Sequence, residues 1–301
     1  MKRSTHGVRG VPRRGFLSGA MAVGALGAAG AQAQTPASVA SQDYRIQRGR
    51  IKFSVFDWCF ASMPMDRFIR ACHAMGVPAM DVDQEYYPLL RQLGMKVAMT
   101  RSHVFTVGPV CRENHPMCIE QLRSGIDLAV RWNCSHVIAF TGNRKKGVSD
   151  EQGARNCVDC WKQVVGHAER KGVNVCLEML NSRDDSHLMK GVPGYFGDDV
   201  ERCIDLIRRV DSPRMKLLFD VYHVQIMSGD VIRRIRQYKE YIAHYHVAGV
   251  PGRGEPDETQ EINYPGVMRA ILDTGYTGYV SMEFMPTWPD KLAARRSAIR
   301  L

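Results

Sequence analysis

The feature that most constrains the fold of this sequence is a regular alternation of short apolar runs with longer segments of helical spacing. Each apolar run has five or six residues, which is typical of a buried β-strand, and a loop and an amphipathic segment follow it. The eight predicted strands are residues 51–56, 78–82, 95–99, 135–140, 173–178, 215–220, 242–247 and 279–283. Strands that alternate with helices predict an α/β protein with a parallel sheet.

Two architectures suit this alternation, the closed barrel and the doubly wound open sheet. An open dinucleotide-binding sheet needs a GxGxxG turn after its first strand, and the sequence VFDWC offers none. Eight strands within about 250 residues favour a (β/α)8 TIM barrel as a single domain over residues 50–301. Glycines between a predicted helix and the next strand are expected to have left-handed backbone angles, and they are Gly76, Gly94, Gly172 and Gly275.

The first 33 residues have the pattern of an export signal rather than of a folded domain. A basic start precedes Arg13-Arg14-Gly15-Phe16-Leu17, an Ala/Gly-rich run and the small-residue site Ala31-Gln32-Ala33. We predict a twin-arginine signal peptide over residues 1–33 and a periplasmic or otherwise extracytoplasmic location. The alternative is a basic disordered tail. Residues 34–49 are polar and aperiodic, which predicts a linker.

Charge and hydropathy exclude two kinds of partner. The formal charge falls from +10 to +5 when residues 1–33 are removed, because that segment holds five basic residues and no acid. No tract of Lys and Arg interleaved with aromatic residues remains, so we expect no nucleic-acid partner. No later segment has eighteen consecutive apolar residues, so we expect no membrane span.

The nine cysteines leave the redox state open. An odd count, and positions within apolar patterns, favour buried free thiols over disulfides, and export of a folded protein is compatible with reduced thiols. The pair Cys157 and Cys160 forms a single CxxC motif inside a predicted helix. Without a second pair, this motif only weakly indicates a zinc or redox site.

The last residues of the predicted strands five to eight are chemically distinctive. Residues that end the strands of a barrel point into one mouth. Here they are Glu178, Asp220, His246 and Glu283. Any one of them alone is more often a helix cap or a solvated loop residue. Together they form a ligand set for one divalent ion of intermediate hardness, such as Mn²⁺, Mg²⁺, Co²⁺ or Zn²⁺.

At these residues the sequence resembles the hydroxypyruvate isomerase family within the xylose-isomerase-like barrels. The segments that carry the resemblance are CLEMLNS, LLFDVYHVQIMSGD, HYHVAGVPGRGEPDETQEINYP and GYTGYVSMEF. The run GVPGRGEPDETQEINYP is long and unusual, which makes the match specific. IKFSVFDWCF and FTGNRKKG extend the resemblance across the chain that follows the predicted signal.

The resemblance implies roles for individual residues. It implies that the four strand-end residues bind the metal, that Glu178 and Glu283 also transfer protons, and that His223 and Arg253 contact substrate oxygens. One departure concerns His246, where cytoplasmic members of the family often have Gln and related ketose 3-epimerases have His. The metal site is compatible with either residue.

The chemistry expected of such a site is transfer of a proton between adjacent carbons. A carboxylate accepts a proton next to a carbonyl, the metal stabilises the enediolate charge, and Glu178 and Glu283 could flank the substrate. Arg253 would suit a substrate carboxylate, although a solvated loop arginine is the alternative. Weaker candidates at the mouth are Trp58 for stacking, and His103 and Asn143 for hydrogen bonds to hydroxyls.

Four functions remain open at this point. The leading hypothesis is a metal-dependent isomerase acting on hydroxypyruvate or a similar small hydroxy-carbonyl acid. A ketose 3-epimerase would use the same two glutamates, and a non-catalytic sugar-binding or sugar-acid-binding barrel would keep the metal without turnover. A metal-dependent endonuclease would need additional His and Asp ligands that the sequence lacks. The substrate, the metal and any homo-oligomer are not determined by the sequence.

Overall fold

The structure is a computed structural model that describes residues 45–46, 49–60 and 63–300. The predicted signal peptide, residues 1–33, lies outside the described residues, as does most of the predicted linker. Both therefore stay predictions.

Eight parallel strands form the centre of the molecule. They are β1 (Lys52–Phe56), β2 (Ala79–Asp81), β3 (Lys96–Val97), β4 (His136–Ala139), β5 (Asn174–Glu178), β6 (Met215–Asp220), β7 (Ile242–Val247) and β8 (Tyr279–Met282). Every predicted strand is present, and most are shorter than predicted by a residue or more at one or both ends. The prediction of eight strands is confirmed.

The sheet curls so that its two outer strands meet. Strands are ordered β3-β2-β1-β8-β7-β6-β5-β4, with neighbours parallel. Just beyond β3, Thr100 forms a parallel bridge with Val137 of β4. The Thr100 N–H donates to the His136 carbonyl at 3.0 Å, and the Ile138 N–H donates to the Thr100 carbonyl at 3.0 Å. These contacts close the barrel, so the carboxyl ends of all eight strands surround one mouth.

Nine α-helices are described around this barrel. They are α1 (Met65–Ala74), α2 (Tyr87–Gln92), α3 (His115–Arg131), α4 (Asp150–Lys171), α5 (Val200–Val210), α6 (Val221–Met227), α7 (Val231–Gln237), α8 (Tyr264–Asp273) and α9 (Lys291–Ala298). The sequence gives no clear signal for α2, α6 and α9. They have six to eight residues, which is too short for a clear helical period.

The long helix α4 illustrates how local sequence sets the bounds of an element. The Ser149 hydroxyl caps its first turn by accepting the Gln152 N–H, and Gly172 ends it in the left-handed conformation. Its apolar face buries Trp161 completely against the barrel. All four glycines expected to be left-handed have φ between 70° and 80°.

A chain of buried polar side chains crosses three strands of the sheet. The Ser54 hydroxyl of β1 donates to the Ser281 hydroxyl of β8 at 2.8 Å, and Ser281 donates to the Asp81 carboxylate of β2 at 2.5 Å. All three side chains are buried. Hydrogen bonds between buried polar side chains therefore link three strands of the barrel.

All nine cysteines are free, and seven of them are buried, including both members of the CxxC motif in α4. This agrees with the expectation of buried thiols. Across the residues that the structure describes, we find no helix long and apolar enough to cross a bilayer.

Candidate active site

The four strand-end residues meet in one buried cluster. One ligand atom from each of the four lies within 4.8 Å of the others, and each residue is at most 5% exposed. The cluster consists of Glu178, Asp220, His246 and Glu283. Residues up to 105 positions apart in sequence are thus brought together by the shared direction of strands β5 to β8.

The backbone fixes where Asp220 and His246 lie. The two residues are direct partners in the register of β6 and β7. Asp220 also begins α6, where its Oδ1 accepts the N–H groups of Tyr222 at 2.8 Å and His223 at 3.3 Å. One carboxylate oxygen of Asp220 is therefore held by the helix, and the other, Oδ2, faces the cluster.

His246 lies between the two glutamates. Its Nδ1 is 2.9 Å from Glu178 Oε1 and 2.8 Å from Glu283 Oε2. The Phe56 ring packs edge-on against the imidazole, with ring centroids 5.6 Å apart. Burial alone would lower the pKa of His246, but the two carboxylates outweigh it and raise that pKa well above its usual value. A positive charge is thus favoured at the point where the acids converge.

The surroundings shift the pKa values of the two glutamates in opposite directions. Burial raises the pKa of Glu178, and burial raises the pKa of Asp220 to about 7. Burial acts in the same direction on Glu283, but the positive charges of Arg253 and His246 outweigh it and hold the pKa of Glu283 well below its usual range. Glu283 therefore stays ionised, whereas Glu178 takes up a proton more readily.

Arg253 is buried beside this cluster. It is 3% exposed and its backbone φ is +59°, within the loop that follows β7. Its Nη2 donates to Glu283 Oε2 at 2.6 Å and lies 3.4 Å from Asp220 Oδ2, while Nη1 donates to the Met189 carbonyl. Both terminal nitrogens of Arg253 are thus engaged by the protein itself.

Two aromatic rings hold the arginine in place. Its guanidinium carbon lies 5.2 Å from the ring centre of Trp58 and 5.3 Å from that of Tyr222. The Trp58 indole N–H also donates to Glu283 Oε1 at 2.8 Å. Trp58, predicted to stack on a substrate, therefore contacts both Arg253 and Glu283, and it also lines the adjoining pocket.

His223 presents a neutral ring to the pocket. Its Nδ1 accepts the Asn181 backbone N–H at 3.1 Å, so the hydrogen of the neutral ring is on Nε2. Nε2 lies 3.6 Å from Asp220 Oδ2 and makes no hydrogen bond among the described residues. Burial, assisted by the charge of Arg253, lowers the pKa of His223 well below its usual value. His223 therefore offers a hydrogen-bond donor from a neutral imidazole.

The structure does not bring His103 and Asn143 to the pocket. The His103 ring turns inward, where its Nδ1 lies 3.0 Å from the Val107 carbonyl and its ring packs against Phe140. Asn143 forms a backbone bridge with Tyr195. The loops after β3 and β4 hydrogen-bond to each other, through the Asn143 N–H to the Thr106 carbonyl and the Val110 N–H to the Thr141 carbonyl, both at 3.1 Å. Nearness to a strand end therefore did not suffice to place these side chains.

A pocket of about 240 Å³ adjoins the cluster and is lined by both polar and apolar residues. Both glutamates of the cluster line it, whereas Asp220 and His246 are not among the lining residues. The lining residues that sequence reasoning missed are Phe56, Arg101, Phe105, Ile138, Phe140, Leu180, Leu188, Met189 and Val192. Several follow strand ends directly, but an apolar residue there carries no chemical signal in the sequence.

The cluster has the composition and charge expected of a metal site. Three carboxylates and Arg253 together carry a charge of −2 when His246 is neutral, which one divalent ion would cancel. His246 Nε2 is buried without a hydrogen-bond partner in the described part of the chain, and His246 Nδ1 and Glu178 Oε1 lie 2.9 Å apart without the geometry of a hydrogen bond. Such unpartnered buried atoms are costly unless a ligand satisfies them. The buried cluster could therefore hold a metal ion.

Two relatives match part of this chain in sequence. Hydroxypyruvate isomerase from Escherichia coli (strain K12) is 27% identical over 171 residues, which are 56% of this chain and 63% of the relative. 2-Oxo-tetronate isomerase from Cupriavidus necator is 35% identical over 119 residues, 40% of this chain and 43% of the relative. The chain thus spans less than two thirds of the length of either relative.

Solved structures show the same fold over more of the chain. The 3-keto-D-glucoside 4-epimerase of Escherichia coli superposes with a TM-score of 0.69 at 17% identity, covering 83% of this chain and 98% of that one. The family described as xylose isomerase-like TIM barrel matches residues 65–300, which include all four residues of the cluster. The chain therefore belongs to the xylose isomerase-like TIM barrel family.

Proposed function

We propose that this protein is a metal-dependent isomerase that moves a carbonyl between adjacent carbons of a small hydroxy-carbonyl substrate, with hydroxypyruvate as the reference compound. The observation that carries the proposal is the arrangement of the two glutamates. Both face the pocket, and their surroundings shift their pKa values in opposite directions. The names of the two relatives, an isomerase of hydroxypyruvate and one of a 2-oxo-tetronate, support this choice of reaction.

The four clustered residues would hold one divalent ion, which we propose to be Mn²⁺, Mg²⁺, Co²⁺ or Zn²⁺. A mixed set of carboxylates and one imidazole suits each of these ions. When bound, the ion supplies Lewis-acid stabilisation of the negative charge that develops on the substrate oxygens. Asp220 and His246 do not line the pocket, so we assign them a role in holding the ion and none in contacting the substrate.

Proton transfer falls to the two glutamates. Glu283 is held ionised by Arg253 and accepts the proton from the carbon beside the carbonyl in one direction of the reaction. Glu178, with its raised pKa, donates a proton to the neighbouring carbon. The roles reverse when the reaction runs backwards. The neutral His223 donates from Nε2 to a substrate oxygen, and Trp58 and Arg253 hold Glu283 in position.

A ketose 3-epimerase is a second candidate with the same proton chemistry. It is favoured by His246, because the related ketose 3-epimerases have histidine where cytoplasmic hydroxypyruvate isomerases often have glutamine. A third candidate is a binding barrel without turnover. It fits poorly, because binding alone would not require two glutamates that face the pocket and have pKa values shifted in opposite directions.

Turnover assays on the metal-loaded protein test the proposal. The chain is stripped with a chelator, reloaded with each of the four ions, and assayed on hydroxypyruvate and on free ketoses. We expect isomerisation that depends on the ion and is abolished in both Glu178→Gln and Glu283→Gln, each of which removes a proton acceptor at nearly constant shape. Epimerisation of ketoses without conversion of hydroxypyruvate would favour the second candidate. Absence of turnover on every compound with every ion would contradict an enzymatic role.

A further inference from the structure

Much of the lining of the pocket is formed by apolar side chains. Its polar groups come from Glu178, His223, Arg253 and Glu283, and from Trp58 and Arg101. Most of the apolar lining comes from the ends of β4 and β5 and from the loops after β3 and β5, and we call this part the apolar wall: Phe105, Ile138, Phe140, Leu180, Leu188 and Val192. These six side chains carry no hydrogen-bond donor or acceptor.

The apolar wall is a continuous surface rather than a set of scattered residues. Ile138, Phe140, Leu180 and Val192 belong to one packed apolar cluster, and Phe105 packs against it. This cluster is separate from the main core that lies between the strands and the helices. Its buried members are at most 8% exposed, so the wall has a fixed shape. A ligand in the pocket therefore meets a preformed apolar face.

Leu188 extends this face to the mouth of the pocket. It lies in the loop between β5 and α5, lines the pocket and is nevertheless 60% exposed. Large apolar side chains with this exposure are few among the described residues. An apolar group bound in the pocket would remove Leu188 from water, which favours binding. A hydroxylated group would gain nothing from this contact.

The wall also discriminates against hydroxyl groups. A hydroxyl that leaves water and meets only carbon atoms loses its hydrogen bonds without replacement. The distal hydroxyls of a free ketose would face this situation if its reacting carbons lay at Glu178 and Glu283. A substrate carboxylate would find few free donors. The terminal nitrogens of Arg253 are engaged by Glu283 and the Met189 carbonyl, and those of Arg101 by Asp57 and Asp83, while Nε of Arg253 is buried without a partner among the described residues.

We propose that the preferred substrate is a hydroxy-carbonyl compound that carries an apolar aliphatic or aromatic substituent next to the reacting carbons. This proposal rests on the isomerase function proposed above. The reacting carbons lie against the glutamates, and the substituent lies on the apolar wall. The reaction moves one hydrogen from a carbon to its neighbour and returns a proton to the oxygen, so no oxidant or reductant is consumed.

A matched pair of substrates tests the proposal. 1-Hydroxybutan-2-one and erythrulose share a four-carbon skeleton and the same reacting hydroxy-ketone, and they differ by two distal hydroxyls. We expect kcat/KM to be at least about tenfold higher for 1-hydroxybutan-2-one, in line with discrimination by an apolar pocket. Hydroxypyruvate is assayed alongside. Turnover of erythrulose or hydroxypyruvate with a higher kcat/KM than that of 1-hydroxybutan-2-one would overturn this inference and leave the isomerase function standing. Turnover of none of the three would overturn both.

Two variants test whether the apolar wall causes this substrate preference. Val192→Thr places a hydroxyl on the wall at nearly constant shape, and Leu188→Ser removes the apolar group at an exposed position where folding is not at risk. We expect each to lower the ratio of kcat/KM values, 1-hydroxybutan-2-one over erythrulose, by about fivefold or more. The matched control is Val165→Thr, a valine of similar burial on α4 away from the pocket, which should leave the ratio unchanged. An unchanged ratio in Leu188→Ser and in a folded Val192→Thr would refute the assignment.

Discussion

Replacing Arg253 by Met should destabilise the metal-free protein strongly. Arg253 is 3% exposed, and its guanidinium faces Glu283 at 2.6 Å and Asp220 at 3.4 Å. Methionine has similar length and no charge, so packing is largely kept while two buried carboxylates lose the guanidinium charge and keep only that of His246. Removing one partner of a buried ion pair costs about 3–5 kcal/mol. We therefore expect a loss of that size in the free energy of unfolding, measured by urea denaturation with a chelator present.

A divalent ion should reverse much of this loss. With His246 neutral and the three carboxylates ionised, as binding of the ion requires, the cluster carries a charge of −2 with Arg253 and −3 without it. The variant should therefore bind Mn²⁺ more tightly than the wild type does. A ligand that binds the folded state alone stabilises it in proportion to the logarithm of its concentration over its Kd. We therefore expect saturating Mn²⁺ to raise the unfolding free energy more in Arg253→Met than in the wild type.

Arg101→Met is the matched control. Arg101 also pairs with two acids, Asp57 at 2.5 Å and Asp83, but its side chain is 40% exposed. Such solvated pairs contribute about 1 kcal/mol or less. A metal-free loss in Arg253→Met no greater than that in Arg101→Met, or a response to Mn²⁺ equal in Arg253→Met and the wild type, would refute the electrostatic reasoning.

Two further predictions concern a buried acid and export. Burial raises the pKa of Asp81 to about 6, so its ionised form opposes folding above pH 6, and this effect disappears as the pH falls below about 4. Asp81→Asn should therefore raise the unfolding free energy by up to about 3 kcal/mol at pH 8 and by little at pH 4. Urea denaturation at both pH values measures this difference. Equal gains at the two pH values would contradict a raised pKa for Asp81. Replacing Arg13 and Arg14 by Lys should leave unprocessed protein in the cytoplasm, as judged by fractionation and N-terminal sequencing. Exported wild-type protein that still begins at Met1 would show that the signal prediction is wrong.

The strands and the cluster were predictable because each depends on a local pattern combined with one rule of topology. Glu178 and Asp220 each end an apolar run, and a parallel barrel directs the ends of its strands to one mouth. No long-range contact needs to be known to place them. Helix α6 was not predictable in this way, because it begins directly at Asp220 without an intervening polar loop.

The loop residues were less predictable because their positions depend on contacts distant in sequence. Arg253 pairs with Glu283 through a left-handed backbone angle at a non-glycine residue, which its sequence motif does not reveal. In the loop after β3, Arg101 lines the pocket while His103 turns inward, although both are equally polar in the sequence. The apolar wall had no chemical signature, because phenylalanine and leucine at a strand end resemble core residues.

Metal content tests the central claim most directly. Wild type, Asp220→Ala and His246→Ala are loaded with Mn²⁺, freed of excess ion by gel filtration and analysed for metal, with Asp81→Asn as a buried-acid control outside the cluster. We expect one ion per chain in the wild type and the control, and a large loss in both alanine variants, because each removes a ligand from a site of four. Full metal content in Asp220→Ala and His246→Ala would show that the four strand-end residues are not the metal site.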